Sequence, residues 1–209
     1  GIKTIGIPKT IDGDLVGTNY SLGFDSAVNV ITEEIDRLRT TAGSHWRIFV
    51  VETMVRHAGW LALYGGEASG AYIILIPEHP FSMTRIFELL KERRGREIHY
   101  SIIVVSEGAK PEGMDEFVKG DKVDDFGHRS LGGIASFIAD EITRETGFEA
   151  RHVILSHLQR GGIPSARDRL MARRFGIAAA DMIASEDFGR MVSLSHGEIT
   201  TIPLKEILG

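Results

Sequence analysis

Short apolar runs rich in Ile and Val alternate along the chain with longer segments in which apolar positions recur every three or four residues. The runs at 2–7, 46–53, 72–77, 99–106 and 150–156 predict strands. Their continuous apolar character suits strands buried on both faces of a parallel sheet. Between the first two, Val28, Ile31, Ile35 and Leu38 fall at helical spacing, with Glu33 and Arg37 placed as an i,i+4 pair and Gly43 as the expected stop. Further helices are predicted over 59–69, where Gly65-Gly66 weakens the pattern, and over about 83–94 before Gly95. Leu131, Ile134, Ile138 and Ile142 mark a fourth helix ending near Gly147. Met171, Phe175, Ala178 and Met182 mark a fifth, with Pro164 in its first turn. Residues 191–195 and 199–204 read as a closing hairpin around His196-Gly197-Glu198, and the charged stretch 109–129 reads as a surface loop. The alternation of strand and helix predicts an α/β fold, a mostly parallel sheet covered by helices.

The 209 residues are 43% apolar, enough for a buried core in one large domain or parts of two. No apolar run approaches the length of a membrane span, so no membrane partner is expected. A net charge of -5 argues against general nucleic-acid binding, although local arginines can still hold an anion. The chain has no cysteine, which excludes disulfides and cysteine-based metal sites and suits an expected cytoplasmic location.

Candidate chemistry concentrates in Gly6-Ile7-Pro8-Lys9-Thr10-Ile11-Asp12-Gly13-Asp14. An apolar strand there runs into a turn carrying two carboxylates. Pro8 and Gly13 predict a loop rather than a helix or a ladder. Open α/β sheets place their ligands in loops at the carboxyl ends of strands. Two acids in such a loop suit proton abstraction by one and placement of a metal by the other. The same pattern also serves as a solvated turn or a helix cap.

The stretch from Pro8 to Asp14 resembles the P-[GK]-T-I-D-[NG]-D signature of the phosphofructokinases. Ser44-His45-Trp46-Arg47 followed by Val50-Val51-Glu52-Thr53-Met54-Val55-Arg56 is similar to their S-H-x-R…V-V-E-x-M-G-R segment. His157-Leu158-Gln159-Arg160-Gly161-Gly162 is similar to H-[IL]-Q-R-G-G, and Arg167-Asp168-Arg169 suits the helix that follows. The segments agree in order and spacing over nearly the whole chain, and the bacterial branch with both ATP- and pyrophosphate-dependent members is the nearest. The resemblance implies a phosphofructokinase-like α/β fold, with Rossmann-like parallel sheets, helices on both faces, and two lobes. Residues 1–23 and 159–209 would belong to the phosphoryl-donor lobe, and residues 24–158 to the fructose 6-phosphate-binding lobe. The family carries a Gly-rich donor region upstream of the P-x-T-I-D motif. The expectation is therefore the carboxyl-terminal part of a longer enzyme, with the donor lobe incomplete.

The same resemblance implies roles for individual residues. Asp12 would be the general base on the 1-hydroxyl of fructose 6-phosphate, and Asp14 would help place Mg2+. Thr10 would donate a hydrogen bond to the transferring phosphoryl group, and Arg56 would bridge it. Arg47 and Arg151 would serve the 6-phosphate in a neighbouring subunit's site, which implies a homodimer or homotetramer with shared sites. His157 and Arg160 would bind the sugar phosphate, Glu107 would accept sugar hydroxyls, and Met54 would pack against the sugar. Taken alone, Arg56 also reads as a surface ion pair and Met54 as core. Lys9 would be a donor-side cation, since lysine here is typical of pyrophosphate-using relatives and occurs in some ATP-using ones, so the donor stays open between ATP and pyrophosphate. Val55 departs from the family, which usually has glycine before this arginine. The rival expectation is a non-catalytic sugar-phosphate-binding remnant without the donor half.

Overall fold

The computed structural model describes residues 2–114 and 133–207. In chain order its elements are β1 (Ile5–Gly6), β2 (Lys9–Thr10), β3 (Leu22–Gly23), α1 (Phe24–His45), β4 (Ile48–Thr53), α2 (Trp60–Ala68) and β5 (Ile73–Leu75). They continue with α3 (Met83–Gly95), β6 (Ser101–Ser106), α4 (Ile134–Thr146), β7 (Ala150–Ile154), α5 (Ala166–Ala184), β8 (Arg190–Ser195) and β9 (Glu198–Pro203). The chain forms two compact units: Gly1–Ala27 with Arg160–Gly209, and Val28–Gln159.

The unit of residues 28–159 is built on a four-stranded parallel sheet in the order β5-β6-β4-β7. Every residue of β4 and β6 is buried, the apolar centres Ile48–Val51 and Ile102–Val105 as expected and the polar ends with them. The register sets Thr53 beside Ser106 and Glu52 beside Ile154, so three strands finish nearly level at their carboxyl ends. The stripe Ile134, Ile138 and Ile142 of α4 is fully buried in a core that includes Val50, Ile103 and Val105. Burying each such side chain contributes about 1.5–3 kcal/mol. Two glycines punctuate this helix: Gly133 at the N-cap and Gly147 just past the end, both in the left-handed conformation. The Gly65-Gly66 pair that weakens α2 as an isolated helix is what lets it pack. A Cβ on Gly65 would lie 2.4 Å from Ile31, so only glycine permits the approach.

The other unit joins β1 in parallel to β8, which forms an antiparallel hairpin with β9. His196 and Gly197 close that hairpin with φ of 50° and 86°, the two-residue turn whose twist matches the strands. A separate two-stranded parallel ladder pairs β2 with β3. The core of this unit gathers Tyr20, Met171, Phe175, Ala179, Val192 and Leu194.

Several expectations are corrected. The strand expected over 2–7 is only Ile5–Gly6, because its pairing is limited to Arg190 and Met191. Lys9 and Thr10, expected in a loop without a ladder, pair with Leu22 and Gly23. Pro8 lacks an N–H but its carbonyl still accepts from Leu22 N at 3.0 Å. Helix α1 does not stop at Gly43. A glycine only weakens a helix, and this one ends where Trp46 adopts φ 56°. Pro164 lies before α5 rather than in its first turn, since Ser165 is the N-cap. The loop expected over 109–129 is described only to Met114, and in that part Phe81 bridges Pro111. Its remainder, with Leu131, lies outside the described residues. Among the described residues, no helix is long and apolar enough to cross a membrane.

Candidate active site

The acidic loop begins at the end of β2. Thr10 Oγ1 accepts from Asp12 N at 3.2 Å, which turns the chain back on itself. Ser21 Oγ donates to the Thr10 carbonyl at 2.7 Å, holding the base of the turn to β3. Gly13 has φ 72°, and a Cβ there would lie 2.8 Å from the Phe24 ring. The backbone between the two acids therefore rests on the start of α1. Asp12 is half-buried, and Asp14 and Lys9 are exposed. Lys9 and Thr10 in β2 and Asp12 and Asp14 in the turn after it thus lie within one short stretch of chain.

A second group gathers at the carboxyl ends of β4, β6 and β7. Glu107 N donates to the Thr53 carbonyl at 2.9 Å, and the Glu107 carboxylate accepts from Val55 N at 3.1 Å. Ser106 Oγ donates to the Val55 carbonyl at 2.6 Å. Val55 is thereby fixed at both backbone groups with φ 88°, a conformation that a β-branched residue adopts only under constraint. The departure from glycine falls at a position whose backbone is one that glycine adopts freely. Gly108 lies against the next residue so closely that a Cβ would sit 1.8 Å from the Arg56 carbonyl.

His157 and Arg160 stand in the 3-10 turn Ser156–Arg160 after β7, and both are exposed. The buried side chain of Gln159 ties this turn to β4. Its Nε2 donates to the Ser156 carbonyl at 3.1 Å, and its Oε1 accepts from Met54 N at 3.3 Å. Met54, Val55, Glu107 and the His157 turn are therefore one hydrogen-bonded assembly, with Arg56 the next residue along.

Arg47 and Arg151 lie at the other end of the same strands, roughly 20 Å away at strand rise. Glu149 joins them, with its Oε1 at 2.9 Å from Arg47 Nε and 2.8 Å from Arg151 Nη2. The bond from Arg151 holds the Glu149 carboxyl below its ordinary range. Within one chain this arginine pair does not share a ligand with His157.

Two buried carboxylates carry structural weight that the sequence does not reveal. Glu52, at the end of β4, accepts from Gly133 N at 3.1 Å and Ala135 N at 3.0 Å, seating the first turn of α4. Burial pushes its carboxyl up; the Ala135 bond opposes the shift and nearby Glu107 adds to it. Asp168 accepts from Tyr20 OH, Gly23 N and both the N–H and hydroxyl of Ser26. Burial raises its carboxyl, but the Ser26, Gly23 and Tyr20 bonds outweigh it and hold the group below the ordinary range. Burial, and then the bond to Asp168, push the Tyr20 phenol up. The motif Arg167-Asp168-Arg169 marked the position of this acid but not its partners.

A parallel α/β sheet with candidate site residues gathered where its strands end defines the class of α/β proteins that bind ligands at the carboxyl edge. The sequence profile of the family described as Phosphofructokinase matches residues 1–183, and the chain belongs to that family. It is 53% identical over 206 residues to the pyrophosphate–fructose 6-phosphate 1-phosphotransferase of Amycolatopsis methanolica, covering 99% of this chain and 60% of that protein. It is 47% identical over 209 residues to the ATP-dependent 6-phosphofructokinase of Chloroflexus aggregans, covering 100% of this chain and 57% of that one. The chain thus spans about 60% of the length of these curated relatives. Among solved structures, the pyrophosphate-dependent phosphofructokinase from Marinobacter aquaeolei matches with a TM-score of 0.82 and 28% identity, over 99% of this chain and 52% of that one. The phosphofructokinase of Saccharomyces cerevisiae matches with a TM-score of 0.81 and 32% identity, over 98% and 26%.

Proposed function

We propose that the protein transfers a phosphoryl group to the 1-hydroxyl of fructose 6-phosphate, giving fructose 1,6-bisphosphate. The observation that carries this reading is the loop in which Thr10 anchors Asp12, with Asp14 exposed beyond a tight glycine. A sugar hydroxyl is a weak nucleophile, and Asp12 takes its proton as the new O–P bond forms. Thr10 donates to the transferring group, and the Arg56 guanidinium offsets charge developing on its oxygens. In this reading Met54, Glu107, His157 and Arg160 hold the acceptor sugar phosphate. Arg47 and Arg151 serve the 6-phosphate in another subunit, so the working form is a homodimer or homotetramer. We assign residues 1–23 and 159–209 to the donor lobe and 24–158 to the acceptor lobe.

Asp12 and Asp14 fit Mg2+, which binds through one or two carboxylates and keeps the rest of its shell for water and phosphate. When bound, the ion would neutralise charge on the donor phosphates. The donor is ATP or pyrophosphate, with exposed Lys9 as a cation for its distal phosphate. Relatives named for each donor match at similar identity. Their names as phosphotransferases and kinases weigh against a binding remnant. A cytoplasmic location belongs to the same reading.

The test is Asp12→Ala in the intact protein. Turnover should fall by about 10²- to 10⁴-fold, the usual worth of a general base, while affinity for fructose 6-phosphate holds. Undiminished turnover would remove Asp12 from the mechanism.

A further inference from the structure

Asp168 stands in the first turn of α5, where an acid ordinarily does no more than complement the helix dipole. Its carboxylate instead faces another part of the unit. Oδ1 accepts from Tyr20 OH at 2.7 Å and Gly23 N at 2.9 Å, and Oδ2 accepts from Ser26 N at 2.9 Å and from Ser26 Oγ. The residue is only 5% exposed, and four donors match the four lone-pair sites of an ionised carboxylate. Ser26 Oγ also accepts from Ser165 N at 3.0 Å, which fixes the direction in which its hydroxyl donates.

The segment gripped in this way supports the acidic loop at two points. Gly23 pairs with Thr10, and Thr10 Oγ1 accepts from Asp12 N. Phe24, between Gly23 and Ser26, carries the backbone of Gly13 on its ring. Both ends of the turn that presents Asp12 therefore rest on residues 23–26, whose position Asp168 sets.

We infer that Asp168 is a positioning residue for the proposed general base Asp12, acting through Gly23 and the first turn of α1. This inference rests on the phosphoryl-transfer reading of Asp12. The conservative variant is Asp168→Asn, which keeps the volume but turns an NH2 group toward two of the donors. Displacing a catalytic group by about 1 Å costs on the order of 100-fold in rate. The intact protein carrying Asp168→Asn should lose about 10- to 100-fold in kcat and change KM for fructose 6-phosphate less than about threefold. The same substitution in an Asp12→Ala background should change the residual turnover little, because the group it positions is gone. Tyr20→Phe, which removes one donor and leaves the carboxylate, should give a smaller loss of kcat in the same direction, and it keeps the test open if Asp168→Asn does not fold.

Equal losses in both backgrounds, or a change confined to KM, would overturn the inference. Full kcat in Asp168→Asn beside a crippled Asp12→Ala would overturn it while leaving the phosphoryl-transfer reading standing. Full turnover in Asp12→Ala would overturn both.

Discussion

Asp168 and Ser26 are 142 positions apart in sequence, yet the Asp168 carboxylate receives both the backbone N–H and the hydroxyl of Ser26. These bonds tie the first turn of α5 to the first turn of α1. Their strength depends on charge, since a carboxylate accepts bonds that its protonated form cannot match.

That dependence has a sign. The folded carboxyl is held below its unfolded value, near 3.9 for aspartate. Asp168 therefore contributes stability that is fully present above about pH 4 and lost as pH falls through the depressed folded value. Urea denaturation of the intact protein between pH 7 and pH 3 should show a steeper acid loss in the wild type than in Asp168→Asn. Parallel curves would contradict the role given to the ionised carboxylate.

Glu52 gives the opposite pH dependence. Its folded carboxyl is raised by burial, so the fold is favoured below the unfolded value, near 4.3, and that advantage is lost as pH rises through the folded value. Glu52→Gln keeps an oxygen for Gly133 and Ala135 and removes the charge. Its stability relative to wild type should improve between pH 4 and pH 7. Glu52→Ala leaves two N–H groups without their acceptor, at about 1–3 kcal/mol each. Chemical denaturation at the two pH values checks both, and a pH-independent difference for Glu52→Gln would refute the assignment.

Val55 offers an inverted order of substitutions. Val55→Ala loses buried methyl groups while keeping a Cβ at φ 88°. Val55→Gly loses more volume but relieves a conformational cost of about 1–3 kcal/mol. The glycine variant should be at least as stable as the alanine variant, the reverse of the ordinary preference. Denaturation midpoints decide it, and an alanine variant more stable by over about 1 kcal/mol would show that Val55 is not strained.

Gly108→Ala should strike the group proposed to hold the acceptor sugar without touching a charged side chain. The added Cβ would lie 1.8 Å from the Arg56 carbonyl, and one backbone segment must move. We expect a loss of about 100-fold or more in kcat/KM for fructose 6-phosphate. Gly95→Ala, where the added Cβ meets nothing within 4 Å, should leave activity unchanged. Equal activities would separate Arg56 from the reaction.

Much of this architecture was legible in the chain. The unbroken apolar runs of β4 and β6 announce strands buried on both faces, and the Ile134-Ile138-Ile142 spacing announces the inner stripe of α4. The acidic loop was legible because its chemistry lies within a few consecutive residues. The β2–β3 ladder was not, because two-residue strands have no period to detect. The partners of Asp168, Glu52 and Gln159 were hidden for another reason. Each is a long-range hydrogen bond to backbone or hydroxyl groups, and nothing in the local sequence records which distant N–H a carboxylate or amide will meet. Glu149, which sets Arg47 beside Arg151, was equally silent.

The most direct test of phosphoryl transfer to fructose 6-phosphate is product formation by the intact protein. Purified protein, fructose 6-phosphate and Mg2+ would be incubated with pyrophosphate or with ATP in parallel, and fructose 1,6-bisphosphate measured in each. Sustained formation of the bisphosphate with at least one donor is the predicted result, with turnover largely lost in Asp12→Ala. Binding of fructose 6-phosphate with no bisphosphate from either donor would contradict the account.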